Sequence, residues 1–347
     1  MIRDGRGFIL VLVLWVLLAL SVSVSALALW VSQSTDQAIQ QSDEMRAQVD
    51  RFATRETLKF LLATRPSRAS GLYIGDSPQQ LVQDWRNRPM NNHRAQGSPS
   101  DLHFDGTAYQ ALQGVIFSIQ DEAGLVGVNL FDPDRLDAIL NQIGISAARR
   151  SRLLQRLREY ADVSPNPSRD AEYRMQDRPP PPRRYLLSSM EALTILEWRS
   201  AESALAKADW DRYTTALVSG PLNINTAPVD LLTRLPTIGP GRAELLAEAR
   251  RVAPFRSVDQ AGQLLGRRVD LFSFRTLPSE VLRLTLGDGF TERALRYTVR
   301  LTGTTDQTGP WRVEIVHPLS GVDFDTASAK PVAQALLATT PDAGGNE

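Results

Sequence analysis

The sequence predicts an α+β chain in which one long N-terminal helix is followed by a small α/β sheet domain interrupted by a large all-helical insertion. Three observations carry this. The chain opens on an uncharged apolar run, strand-like segments occur only near 115–119, 294–302 and 311–317, and the residues between the first and second of these are punctuated by helix caps.

From Phe8 to Val31 no residue is charged. Roughly 24 residues rise about 36 Å as a helix, enough to cross a bilayer core of about 30 Å. A buried soluble helix is the alternative, but unbroken apolarity of this length at an extreme terminus suits lipid better than a one-sided protein core. Arg3 and Arg6 precede the run and Asp36 is the first charge after it. The positive side stays cytoplasmic, so everything after the span is expected across the membrane.

Gly7 sits between Arg6 and this helix, where its backbone freedom suits a bond that a protease must reach in extended form. The apolar run exceeds the core of an ordinary secretory signal, although Ser23, Ser25, Ala26 and Ala28 keep a small-residue cleavage site available. Arg6-Gly7 followed by Phe8-Ile-Leu-Val-Leu-Val-Leu-Trp15-Val resembles the class III leader of type IV pilins and pseudopilins, and in particular the minor pseudopilin K family of type II secretion systems. The resemblance implies that a prepilin peptidase cuts between Gly7 and Phe8, that Phe8 becomes N-methylated, and that the anchor is retained. Most pilins carry glutamate as the fifth mature residue, whereas here it is Leu12. An unpaired carboxylate in lipid is costly enough to persist only opposite a partner charge. Its absence, shared with the K family, suits a subunit at the filament tip.

Beyond the span, Ile39, Met45, Val49, Phe52 and Phe60 recur on one helical face until Arg65-Pro66 breaks the pattern. A pilin uses this half of its helix as the spine on which its sheet packs, and Val49 and Phe52 are expected at partner contacts, with Leu12 among them in the membrane. Residues 66–107 read as a polar, proline-punctuated connection. In the helical stretch, Asp132-Pro133 opens one helix through Ile143, Ser146 caps another through Tyr160, and Ser188-Ser-Met-Glu191 forms a capping box. The expected organisation is leader 1–7, transmembrane helix 8–31, amphipathic spine 32–65, first part of a pseudopilin-type α/β domain 66–124, inserted helical domain 125–285, closing strands 286–335 and a flexible tail 336–347.

Inside the insertion, the segment from Leu222-Asn-Ile-Asn-Thr226 through Leu235-Pro-Thr237-Ile-Gly239-Pro-Gly241-Arg242 to Arg250 looks like a helix-hairpin-helix unit of the kind found in competence DNA receptors. Such a hairpin can turn backbone N–H groups toward a phosphate, with Arg242, Arg250, Arg251, Arg256, Arg267 and Arg268 as cations. Thr237 replaces the first glycine, and a β-branched residue is poorly suited to positive φ. The unit therefore reads as degenerate: Thr226 caps a helix, the turn at Ile238-Gly239 reverses the chain, and Asn223 and Asn225 bond loop backbone. Lysine plus arginine equals aspartate plus glutamate at 39 each, which makes nucleic acid an unexpected partner for the whole chain.

Enzymatic chemistry finds little support. Cysteine is absent, the three histidines His93, His103 and His317 share no ligand spacing, and no phosphate-binding loop or nucleophile elbow occurs. No catalytic residue and no organic cofactor is expected. Some K pseudopilins bind calcium in an acidic loop, and the segment from Asp162 to Asp170-Ala-Glu172 is similar in position and pattern. The resemblance thus implies Asp162, Asp170 and Glu172 as a calcium set, while the residues themselves, thinned by Ser164, Asn166 and Ser168, read as a solvated loop. Pro179–Pro182 beside Arg183 and Arg184 reads as an extended spacer.

Taken whole, the resemblance implies a minor pseudopilin that caps the type II secretion pseudopilus from the inner membrane. It would span the membrane once, with its N-terminus cytoplasmic and its C-terminal region periplasmic. Its partners would be minor pseudopilins of the I and J types, the prepilin peptidase and the inner-membrane secretion platform. The alternative, carried by the hairpin unit alone, is a membrane-anchored DNA receptor.

Overall fold

Apolar residues followed by strong helix formers, with no proline before Pro66, leave nothing to stop helix propagation. In the computed structural model the first element is accordingly one helix, α1, Arg6–Thr64, and it is long and apolar enough to cross a membrane. The structure describes residues 6–74, 101–111, 114–129, 133–164, 166–207, 210–266, 273–287, 293–306, 309–320 and 329–332. Pro78, Pro89 and Pro99 of the expected connection, Arg267 and Arg268, and the tail 336–347 lie outside them. The chain divides into two compact units, 1–53 and 54–347, so the end of α1 belongs to the second.

After α1, β1 (Gly71–Leu72) pairs with β2 (Leu102–His103). Then β3 (Asp105–Gln110) and β4 (Ile116–Asp121) begin the main sheet. The insertion follows: β5 (Val126–Gly127), α2 (Pro133–Gln142), α3 (Ala147–Ala161), α4 (Pro167–Met175), a 3-10 turn at Ser189–Thr194, α5 (Glu202–Lys207), α6 (Trp210–Tyr213), β6 (Thr214–Thr215), β7 (Leu222–Asn223), α7 (Val229–Arg234), α8 (Pro240–Val252), α9 (Val258–Leu264) and β8 (Phe274–Arg275). Within it β5 pairs with β6 and β7 with β8, two short parallel contacts in an otherwise helical body. The sheet then closes with β9 (Val281–Gly287), β10 (Arg293–Asp306), β11 (Gly309–Ser320) and β12 (Lys330–Pro331). Its order is β11-β10-β9-β4-β3-β12, antiparallel except for the parallel β12 at the edge.

The order explains how a sheet can tolerate an interruption of this size. Strands β4 and β9 are neighbours, paired from Ile116↔Gly287 to Asp121↔Leu282, so the insertion leaves and re-enters at adjacent points of one ladder. Strand β9 has no counterpart among the sequence candidates, and the expected end of the insertion at 285 falls inside it. Its Leu282, Leu284 and Leu286 alternate with Arg283 and Thr285, but leucine and arginine are as much helix formers as strand formers, which hides the period. In β11 the side-chain alternation is interrupted by a register shift. Val299 pairs with Val313 and Thr298 with Ile315, so Glu314 sits in a bulge and Ile315 faces the opposite side from Val313.

Two cores result. Leu58, Leu61 and Leu62 of α1 pack with Phe104, Phe117, Ile119, Leu282, Leu284, Leu286 and Val299 on one face of the sheet. The insertion has its own core around Trp198, Leu136, Leu153, Leu157, Leu231 and Leu246. Between the other sheet face and the insertion lies a polar layer. Arg283 donates to Glu122 Oε1 at 2.7 Å and Oε2 at 3.1 Å, and to the carbonyls of Asp211 and Thr214 at 2.6 and 3.1 Å. Asp211 also takes bonds from Arg296 and from the Ser189 hydroxyl, with His317 Nε2 at 3.4 Å.

Candidate functional site

The residues singled out in the sequence fall on three parts of the molecule: the long helix, the hairpin unit and the acidic loop. On the helix, Gly7 and Phe8 lie in the first turn of α1, where N–H groups lack intrahelical acceptors and fraying is easiest. Leu12 stands exposed in the apolar half at 55 %. The sheet packs on a face of the helix that the apolar set Ile39, Met45, Val49, Phe52 and Phe60 does not include. Leu58, Leu61 and Leu62 are buried, whereas Met45, Val49, Phe52 and Phe60 stay 58–68 % exposed. At about 100° per residue the two sets are centred about 170° apart, so the helix carries two apolar faces, one buried against the sheet and one exposed.

The hairpin unit turns its polar residues inward. Asp121, fully buried at the end of β4, accepts five hydrogen bonds and faces no cation within that set. Oδ2 receives Asn223 Nδ2 at 2.9 Å and Thr226 Oγ1 at 2.8 Å, and Oδ1 receives Ala123 N at 3.0 Å and Ser279 N and Oγ at 3.0 and 2.6 Å. Thr226 is therefore not the cap of α7. That position belongs to Pro228, which offers no side-chain acceptor, and the threonine hydroxyl is spent on Asp121 instead. Asn225 donates to the carbonyls of Phe255 and Thr276 and accepts from Phe255 N.

Among the proposed phosphate cations, Arg250 is buried and donates to the carbonyls of Ile224 and Ala227 at 2.9 and 2.7 Å. Burial depresses its pKa, opposed by Asp105. Arg251 pairs with Glu248, while Arg242 is exposed. Gly239 supplies positive φ, +79°, at the N-cap of α8, as a hairpin turn requires. The turn geometry of the motif is present, but Asn223 and Thr226 tie the insertion to Asp121 of the sheet, and Asn225 and Arg250 bond carbonyls inside the insertion.

The acidic loop is organised by arginines. Arg169, whose side chain is 3 % exposed, donates to the carbonyls of Glu159 and Ser164 and lies 3.7 Å from Asp162. Asp170 pairs with Arg183 at 2.7 Å and Glu172 with Arg156 at 2.7 Å. The Ser164 N–H, then its hydroxyl and Arg169, hold the Asp162 carboxyl below its ordinary range. Among the described residues no three His, Asp or Glu side chains gather closely enough to hold a metal. The three expected calcium ligands thus each face a guanidinium, and the set does not fit a divalent cation.

Sequence reasoning missed Asp121, Glu122, Asp211 and Arg283. Asp121 bonds Asn223 102 positions away, Glu122 pairs with Arg283 161 positions away, and Asp211 meets Arg283 and Arg296 72 and 85 positions away, separations at which periodicity and spacing carry no signal.

The chain is similar in structure to a chain of the GspK–GspI–GspJ complex from the type 2 secretion system of enterotoxigenic Escherichia coli, with a TM-score of 0.53 over 82% of this chain and 99% of that one. The fold is GspK-like. Sequence identity across the match is 14%, so the likeness resides in architecture rather than in shared side chains. No protein-family model and no curated protein matches the sequence.

Proposed function

We propose that this chain is a minor pseudopilin that caps the tip of the type II secretion pseudopilus and helps initiate its assembly and the export of folded proteins across the outer membrane. One observation carries the reading: a helix apolar and long enough to span a membrane ends as the packing spine of a GspK-like sheet domain. The chain would sit in the inner membrane as a single-pass protein with its C-terminal region in the periplasm. Because the structural neighbour occurs in a complex with GspI and GspJ, minor pseudopilins of those types are the partners proposed here, together with the prepilin peptidase and the inner-membrane platform. Leu12, lacking a charge to register against a neighbouring amino terminus, and a bulky insertion above the sheet domain both suit a terminal position.

A role as a DNA receptor would need a phosphate cradle, and Asn223, Asn225, Thr226 and Arg250 are committed to internal bonds. The direct test of the pseudopilin reading is amino-terminal mass spectrometry of the full chain from a host with an active prepilin peptidase. The mature protein is expected to begin at N-methylated Phe8, and Gly7→Ala to retain the leader. A mature terminus anywhere in 21–29 would identify an ordinary signal peptide and end this reading.

A further inference from the structure

Around the turn between α3 and α4, guanidiniums occupy the positions where a cation cage would need open carboxylates. Arg169 reaches from α4 back to the end of α3. Its Nη1 bonds Glu159 O at 2.6 Å and its Nη2 bonds Ser164 O at 2.9 Å, with Asp162 Oδ2 at 3.7 Å. Two backbone carbonyls and a carboxylate are the kind of oxygen set a hard cation takes, here gathered by one planar fork that is always charged. Arg156 adds a second node, donating to Glu159 at 3.0 Å and to Glu197 at 3.4 Å and forming an ion pair with Glu172 at 2.7 Å.

The proline run is fastened by the same device. It lies between two non-glycine residues in the left-handed region, Asp177 at φ +55° and Arg183 at φ +56°. Such corners persist only where surrounding contacts hold them. Arg183 pairs with Asp170 on α4, and Arg184 pairs with Glu191 in the 3-10 turn at 2.8 Å. The segment read from sequence as a spacer is therefore tied at its C-terminal end to two elements. One oxygen, Asp170 Oδ1, is buried with no hydrogen-bond partner among the described residues. A divalent cation there would share its carboxylate with Arg183 and would not find two further acids beside it among the described residues.

We infer that arginine side chains take the structural place of a divalent cation in this segment: Arg156, Arg169 and Arg183 hold the α3–α4 turn and the proline run, so the segment folds without metal. A guanidinium is covalently part of the chain, so this order does not follow the external calcium concentration, as a bound ion's would. The comparison with a cation site rests on the pseudopilin resemblance, the fastening by arginine on the contacts themselves, and the amino-terminal test decides the pseudopilin reading separately.

The experiment compares the full chain in detergent in millimolar CaCl2 and in EDTA, by thermal unfolding and by limited proteolysis mapped over residues 160–190. The wild type should give the same midpoint and the same cleavage pattern in both. Arg169→Met should lower the midpoint by several degrees and open the segment to protease in either buffer. If that variant does not fold, Arg183→Gln, at a more exposed pair, should still give faster cleavage near the proline run. Calcium that protects Arg169→Met but not the wild type would support the substitution directly, because ion and guanidinium would then compete for the same oxygens. A wild-type midpoint or protease resistance that depends on calcium, or cleavage of Arg183→Gln and Arg169→Met no faster than wild type in EDTA, would overturn it.

Discussion

Asp121 shows how one side chain can organise two bodies. A buried carboxylate without a cation is stable only if its oxygens are filled, and here five donors fill them from three separate stretches of chain, at 123, 223–226 and 279. The same residues explain why a sequence that resembles a phosphate-binding hairpin does not present one: the carboxylate of β4 occupies the side chains that open the motif. Asp121→Ala would leave those donors buried and unpaired. It is expected to lower stability by about 3 kcal/mol or more, read by denaturant unfolding of the full chain in detergent. An Arg242→Ala change, at an exposed site, is expected to stay within about 0.5 kcal/mol in the same measurement.

At the scale of elements, α1 divides its labour between two faces. Leu61 is 4 % exposed against the sheet, while Val49 and Phe52 are exposed at 59 % and 58 %. Leu61→Ala is therefore expected to cost about 2–5 kcal/mol in stability through the cavity it leaves. Val49→Glu with Phe52→Glu should leave unfolding unchanged, since neither side chain is buried. Under the proposed function the opposite ranking holds for assembly. Light scattering after size exclusion, on the chain co-expressed with I-type and J-type minor pseudopilins, should show a heterotrimer that the glutamate pair weakens by tenfold or more. If the pair leaves the heterotrimer intact while changes in the hairpin unit abolish it, the helix is not the contact.

Across the second unit, the sheet meets the end of α1 through hydrocarbon, with Arg55 and Lys59 lying over the Tyr297 and Trp311 rings, and meets the insertion through a polar and ionic layer. A buried pair such as Glu122 with Arg283 offsets much of its attraction by desolvation, and removing one partner would leave the other charge buried and unpaired. Asp211 makes this contact pH-sensitive. Burial alone would raise its pKa, but His317, Arg283, Arg296 and Ser189 overcome that and hold the carboxyl far below the ordinary carboxylate range. With the folded pKa below the unfolded value of about 3.9, the stabilisation is complete above that value and disappears as pH falls toward the folded one. Thermal midpoints should accordingly fall as pH drops below about 4. Asp211→Asn should be less stable at neutral pH yet show a shallower acid limb, and an unchanged slope would mean that other carboxylates carry the acid response.

Local physics was enough for part of this protein. The apolar run Phe8–Val31 forms a helix, Pro133 and Ser146 stand where helices begin, although Ser146 makes no side-chain cap bond, and Trp311–His317 is strand, because each signal acts within a few residues. The insertion's existence followed too, from caps placed between strand candidates. What the sequence left open were choices between equivalent surfaces. Met45, Val49, Phe52 and Phe60 make as good an apolar face as Leu58, Leu61 and Leu62, and only the sheet's presence against the second set decides which is core. Leu282-Arg-Leu-Thr-Leu286 becomes a central strand because β4 and β10 flank it, and Asp162, Asp170 and Glu172 become ion-pair partners because Arg156, Arg169 and Arg183 arrive from other turns. Hydrophobic period and capping are properties of neighbours along the chain, whereas burial and charge pairing are properties of neighbours in space, and those exist only once the chain has folded.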